Sequence, residues 1–88
     1  MDNYCVVQLS SCVKGELILL KANLPYLYAY LLTDEQYQEY QKCEPMGMRF
    51  PKETPIGLNA PCDGTLWLVV DNDGAEMDNV KCKFSRFA

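Results

Sequence analysis

Four carboxylates fall within eight positions of one short stretch, Asp71, Asp73, Glu76 and Asp78 in DNDGAEMD. Oxygen ligands at that density suit a calcium ion, which takes about six to eight of them. The spacing departs from the EF-hand loop, because Glu76 stands where that loop needs its glycine. A reading without an ion competes. Asp73-Gly74 after an apolar run is a hairpin-turn signal, since both residue types tolerate positive φ. It predicts that residues 72–78 link two antiparallel strands. The turn is the expectation, and a weak calcium site on Asp71, Asp73, Glu76 and Asp78 is the alternative.

Thiols are the other reactive groups. Cys5, Cys12, Cys43, Cys62 and Cys82 are an odd number with no CxxC pair, and the chain has no histidine. Zinc sites use closely spaced thiols and imidazoles, so no metal centre is expected from these five. Without histidine, neither a Ser-His-Asp nor a Cys-His arrangement can form. A cysteine nucleophile would need a nearby cation to favour its thiolate. Lys14 lies near Cys12, Lys42 beside Cys43, and Lys81 and Lys83 flank Cys82. Cys82 is expected on an inner face with its lysines outside, and Cys12, in a turn, is expected to be exposed. As a set, the thiols read as small core hydrophobes. No glycine-rich phosphate loop occurs. Neither an enzyme nor a bound cofactor is expected.

Length and charge narrow the classes further. Eighty-eight residues suit one domain, burying roughly 60–65% of the surface exposed when unfolded. Eight basic and twelve acidic residues give a net charge of −4 and a pI near 4.6. That sign argues against a nucleic-acid partner, which calls for a basic stripe. The apolar runs are too short for a membrane span. MDNYCVVQLSS has neither a basic start nor a long apolar stretch, so no signal peptide is expected. Reduced thiols in a cytoplasmic protein follow as the expectation.

The elements that must position these groups are short strands separated by turn residues. YCVVQL (residues 4–9) and GELILLKA (15–22) are strand-like, with a turn at Lys14-Gly15. YLYAYLL (26–32) alternates, Leu27, Ala29 and Leu31 on one face and Tyr26, Tyr28 and Tyr30 on the other. TDEQYQEYQK then changes period. Thr33 and Gln36 form a capping-box signature, and Asp34 and Glu35 suit the positive end of a helix dipole. Tyr37 and Tyr40 share one helical face, and Pro45 ends the helix. MGMRF (46–50) is a weak strand candidate and TPIGLNAP (54–61) a stronger one. GTLWLVVD (64–71) is apolar on both faces and reads as a central strand. In NVKCKFSRF (79–87), Val80, Cys82 and Phe84 point inward against Lys81, Lys83 and Ser85. The fold class predicted is all-β, an antiparallel sandwich or barrel of about seven strands with one short helix near residues 33–42.

The tyrosines admit two readings. Tyr26, Tyr28 and Tyr30 either lie beneath the helix or the opposite sheet, or form an exposed ladder of the kind enriched at protein interfaces. An uncovered patch of three would demand a partner.

The order LLTDEQYQEYQK, Gly47, Pro55, APCDGTLWLVVD and Gly74 resembles a family of small bacterial all-β domains known as domain of unknown function eighteen eighty-three. The segment with Pro61, Gly64, Trp67, Val69, Val70 and Asp71 carries most of the likeness, which spans residues 9–84. Leu66 stands where that family shows a histidine, and PMGMRF where it shows a Gly-Gly pair. Fusion of some members to TIR domains implies a link to bacterial signalling or defence. The strand ending in VVDN is also similar to GOLD-type and prepeptidase-like β-sandwich modules. These resemblances imply binding, with no catalytic site.

Three functional expectations follow. The first is a cytoplasmic module acting through protein–protein contact, as a homo-oligomer or with another protein, through Tyr26, Tyr28 and Tyr30 or through a free strand edge. The second is a sensor that binds a small molecule or sugar near Tyr37, Tyr40 and Trp67. The third is a phage-type inhibitor that engages a host protein by its acidic surface.

Overall fold

Apolar side chains at a spacing of two residues put most of this chain into strands. The computed structural model describes residues 4–42 and 50–87. Among them seven strands and one helix follow in order. They are β1 (Tyr4–Cys12), β2 (Leu17–Ala22), β3 (Tyr26–Leu32), α1 (Asp34–Gln41), β4 (Lys52–Glu53), β5 (Ile56–Asn59), β6 (Gly64–Asp71) and β7 (Cys82–Phe87). Two antiparallel sheets result, one ordered β1-β6-β3-β4 and the other β5-β2-β7. The all-β expectation holds, with one short helix. No helix among the described residues is long and apolar enough to cross a membrane.

The core lies between the sheets. β6 contributes Leu66, Leu68 and Val70, β2 contributes Ile18 and Leu20, and β3, β5 and β1 add Leu27, Ala29, Ile56, Leu58 and Leu9. Strand parity decides these faces: in antiparallel pairs, residues opposite each other share a face. Leu9 faces Leu66 and Val7 faces Leu68, while Gln8 faces Trp67 on the outer surface. The alternation expected of residues 26–32 is present through Tyr30, with Leu27 and Ala29 buried and Tyr26 exposed; at the strand's end Leu31 is half-buried and Leu32 is buried as well. β6 is buried on both faces, as a central strand should be.

Several sequence expectations are corrected. The Asp73-Gly74 turn exists, with φ of 53° and 82° at its two central residues and Asn72 bridged to Ala75. It does not join a paired hairpin, because β6 and β7 belong to different sheets. The chain instead turns again, with Val80 N–H donating to the Met77 carbonyl, and crosses to the second sheet. Cys12, expected to be exposed, is 2% exposed. A register shift between Leu9 and Cys12, with Ser11 at φ 54°, inserts one extra residue and returns Cys12 to the inner face. Burial pushes its thiol pKa up. The strand expected at residues 46–50 lies mostly outside the described residues; Phe50 is in no strand, and the short β4 begins after it. Phe84, expected inward, keeps 38% exposure because β7 is an edge strand.

Loops at the two ends of the sandwich are tied across it. Gly15 N–H donates to the Ala60 carbonyl, Ala60 N–H to the Glu16 carbonyl, and Lys14 N–H to Asp63 Oδ1 at 2.7 Å. At the other end Asn23 exchanges hydrogen bonds with the backbone of Asn79 and Lys81, and Thr54 Oγ1 donates to the Leu24 carbonyl.

An ion pair between a buried carboxylate and a partly exposed guanidinium closes the structure. Glu16 is 6% exposed, and Arg86 Nε donates to its Oε2 while Arg86 Nη2 and Val13 N–H donate to Oε1. The same guanidinium donates to the Ser10 carbonyl at 3.0 Å and reaches Cys12 Sγ. β7 is thereby clipped to the end of β1 and to the turn before β2. Hydrogen bonding from Arg86 holds the Glu16 carboxyl below the ordinary glutamate range. With a folded pKa below the unfolded one, the stabilisation is complete above the unfolded pKa and disappears as pH falls through the folded value. Glu16→Gln is therefore predicted to lower the urea midpoint at pH 7. The gap to wild type should narrow below about pH 4.3, the ordinary glutamate value. A gap of constant size from pH 7 to pH 3 would show that the ionised pair is not its source.

Candidate functional site: the aromatic face and the open flank

The outer face of the four-stranded sheet carries the aromatic residues. Antiparallel register places Tyr4 and Tyr28 opposite Asp71, Tyr30 opposite Val69, and Leu32 and Gln8 opposite Trp67. α1 covers this face. Its start is set by the capping box, in which Gln36 N–H donates to Thr33 Oγ1 and Thr33 N–H to Gln36 Oε1. With the helix so placed, Tyr37 stacks on Trp67 with ring centroids 4.7 Å apart and planes at 16°. Trp67 Nε1 donates to Asp34 Oδ1. Tyr40 meets Tyr4 edge-on at 5.0 Å and tilts against Tyr30 at 6.1 Å. The hydroxyls of Tyr4 and Tyr37 are 3.5 Å apart.

Asp71 joins this layer to the acidic turn. It is 3% exposed; Tyr40 Oη donates to its Oδ2 at 2.7 Å and Asp73 N–H donates to its Oδ1 at 3.0 Å. Glu76, Asp73 and Asp78 are exposed, whereas Asp71 points into the protein. The four carboxylates are thus not brought together, and no group of three potential metal ligands converges among the described residues. The first acid of the cluster anchors the helix and shapes the turn.

The tyrosines of β3 do not form one open ladder. Tyr26 is 56% exposed, beside Glu53 of β4, but Tyr28 and Tyr30 are half-buried. Tyr37, Tyr40 and Trp67 do converge, as contacts of helix on sheet. A groove of about 300 Å³ runs beside them, lined by Tyr30, Leu32, Gln36, Lys52, Leu58 and Asn59, and none of Tyr37, Tyr40 and Trp67 lines it.

A second surface was not anticipated in detail. β1 and β7 are edge strands of their sheets and lie on the same flank, joined at one end by Arg86. Cys5 and Val7 on β1, and Cys82 and Phe84 on β7, have the parity of the core. The flank is incompletely closed over them: Cys5 is exposed, Val7 and Phe84 are each 38% exposed, and Cys82 is half-buried. Cys5, Cys12, Cys62 and Cys82 are free thiols, and burial raises the pKa of Cys82. The sequence signal for the flank was parity. Arg86 is in phase with Cys82 and Phe84, and Glu16 with Ile18 and Leu20, so opposite charges stood at matching inward positions.

No protein-family profile, curated protein or solved structure matches this chain.

The Tyr40–Asp71 bond gives a direct test of the aromatic layer. Tyr40→Phe removes one donor from a buried carboxylate and is predicted to cost about 1–3 kcal/mol of stability. Urea unfolding measures it, with Tyr26→Phe at the exposed position as a control expected to change little. Equal midpoints for Tyr40→Phe and wild type would show that this bond does not hold the helix.

Proposed function

We propose that this chain is a small non-catalytic module acting by protein–protein contact in a reducing, cytoplasmic setting, through the flank where the β1 and β7 edges lie side by side. The observation that carries this reading is an apolar seam left open beside an undefended strand. Residues 4–9 of β1 contain no charge, proline or glycine, and Val6 and Val7 are 37% and 38% exposed. An edge of that composition offers backbone donors and acceptors to another extended chain, the mode known as strand addition. The tyrosines support this choice of surface indirectly. Their rings stack on one another, and the Tyr40 hydroxyl is engaged by a buried carboxylate. Aromatic area spent on holding a helix is not available to a ligand, which argues against a sensor site at Tyr37, Tyr40 and Trp67.

Site-specific photo-crosslinking tests the surface. Val7→p-benzoyl-phenylalanine is predicted to yield discrete crosslinked species in cells that express the protein. The same replacement at Glu39, on the exposed side of α1, should yield none. Crosslinks at Glu39 and not at Val7 would place the contact elsewhere and overturn the assignment.

A further inference from the structure

Residues 4–9 of β1 lack the devices that usually protect a sheet edge, namely charges, prolines and bulges, and β1 is not short. Among the described residues it pairs only with β6. Protection begins past Leu9, where the register shifts, Ser11 takes a φ of 54° and Arg86 caps the Ser10 carbonyl. The open stretch is residues 4–9, about 20 Å of strand. β7 runs beside β1 in the same direction. Arg86, near the end of β7, reaches Ser10 and Cys12 near the end of β1. Toward the other end Cys5 of β1 and Cys82 of β7 both have the inward parity of their strands.

We infer that the occupant of this flank is a second copy of the chain, docked by antiparallel pairing of β1 with its counterpart to form a two-fold symmetric dimer. The inference rests on the contact reading above and names its partner. Self-pairing is favoured by the composition of the edge. Each copy carries a net charge of −4, yet residues 4–9 bring no charge to the junction, so like-charge repulsion is kept away from it. Parity also permits it. Antiparallel pairing centred on Val6 or Val7 sets inward residues (Cys5, Val7, Leu9) against inward ones, and outward residues (Tyr4, Val6, Gln8) against outward ones. The four-stranded sheets then continue across the axis, with both cores on one side. Because β7 runs alongside β1, the same axis brings the two β7 edges toward each other, and Val7 and Phe84 of both copies close into one apolar seam. An isologous contact of this kind is the commonest route to a dimer. One strand edge and a narrow seam make a small contact of the weak, transient class, for which a dissociation constant on the order of micromolar is expected.

Sedimentation equilibrium between about 2 and 300 µM, spanning that range, decides it. Wild type should rise from the 10.1 kDa monomer toward twice that mass. Val6→Lys places a cation on the outward face of β1, where the side chain is already 37% exposed. It should weaken association at least tenfold while thermal unfolding stays cooperative. Gln38→Lys adds the same charge on the exposed side of α1 and should associate like wild type. A wild type that stays monomeric throughout, or a folded Val6→Lys that associates equally well, overturns the proposal. Should Val6→Lys not fold, amide exchange in wild type replaces it: slowing at residues 4–9 with rising concentration supports the dimer, and no slowing overturns it. A monomeric wild type that still crosslinks through Val7 to a protein of another mass sinks the second copy and leaves the contact reading standing. Absence of any Val7 crosslink sinks the contact reading itself.

Discussion

A strand that is apolar on both faces must be covered twice, and β6 imposes that requirement on the whole chain. Leu66, Leu68 and Val70 are 0–3% exposed and face the second sheet, while Val69, at 0%, lies on the opposite face beneath the helix layer. One cover is the sheet of β5, β2 and β7. The other is α1, brought down on the outer surface by the stacking of Tyr37 on Trp67 and by the Tyr40–Asp71 bond. Burial of these side chains, at roughly 1.5–3 kcal/mol each for a fully buried aliphatic group, makes β6 the strand the other elements gather around.

This double cover explains why the conspicuous chemical groups are structural. Asp71 stands at the end of β6 with its two carboxylate oxygens divided between the helix and the turn. A buried carboxylate is tolerable only when its lone pairs are met, and the short Asp73-Gly74 turn supplies one of the donors. Glu16 follows the same rule with Arg86 as its partner. Both acids sit where the fold changes direction, and both fix that change. What the double cover leaves over is the flank, where β1 and β7 end their sheets without a third layer.

Elements governed by neighbours in sequence were legible in it. The alternation of residues 26–30, the unbroken apolar character of β6 and the Thr33/Gln36 capping box each report an interaction within a few residues, and each appears as expected. The Asp73-Gly74 turn was legible for the same reason. The strand partners were not. Apart from β3 and β4, successive strands cross from one sheet to the other, so pairing depends on residues far apart, such as Ile18 against Arg86. Cys12 was placed in a turn, whereas β1 continues through it past a bulge that sets it inward, and nothing about Ser11 announces a positive φ. The Glu16–Arg86 pair could be suspected from parity, but its closure depends on two edge strands sharing a flank. The tyrosine question was a matter of tertiary cover, and the helix that answers it lies over the β3–β6 face.

The claim on which this account turns is that β6 is held from both sides. Native-state amide hydrogen exchange reads it strand by strand, since amides in the most covered strand open only with global unfolding. The account predicts that the amides of Leu66–Val70 exchange most slowly of the chain, with a free energy equal to that of global unfolding, and that those of α1 exchange faster. Exchange of the β6 amides at the rate of the helix, well before global unfolding, would contradict it.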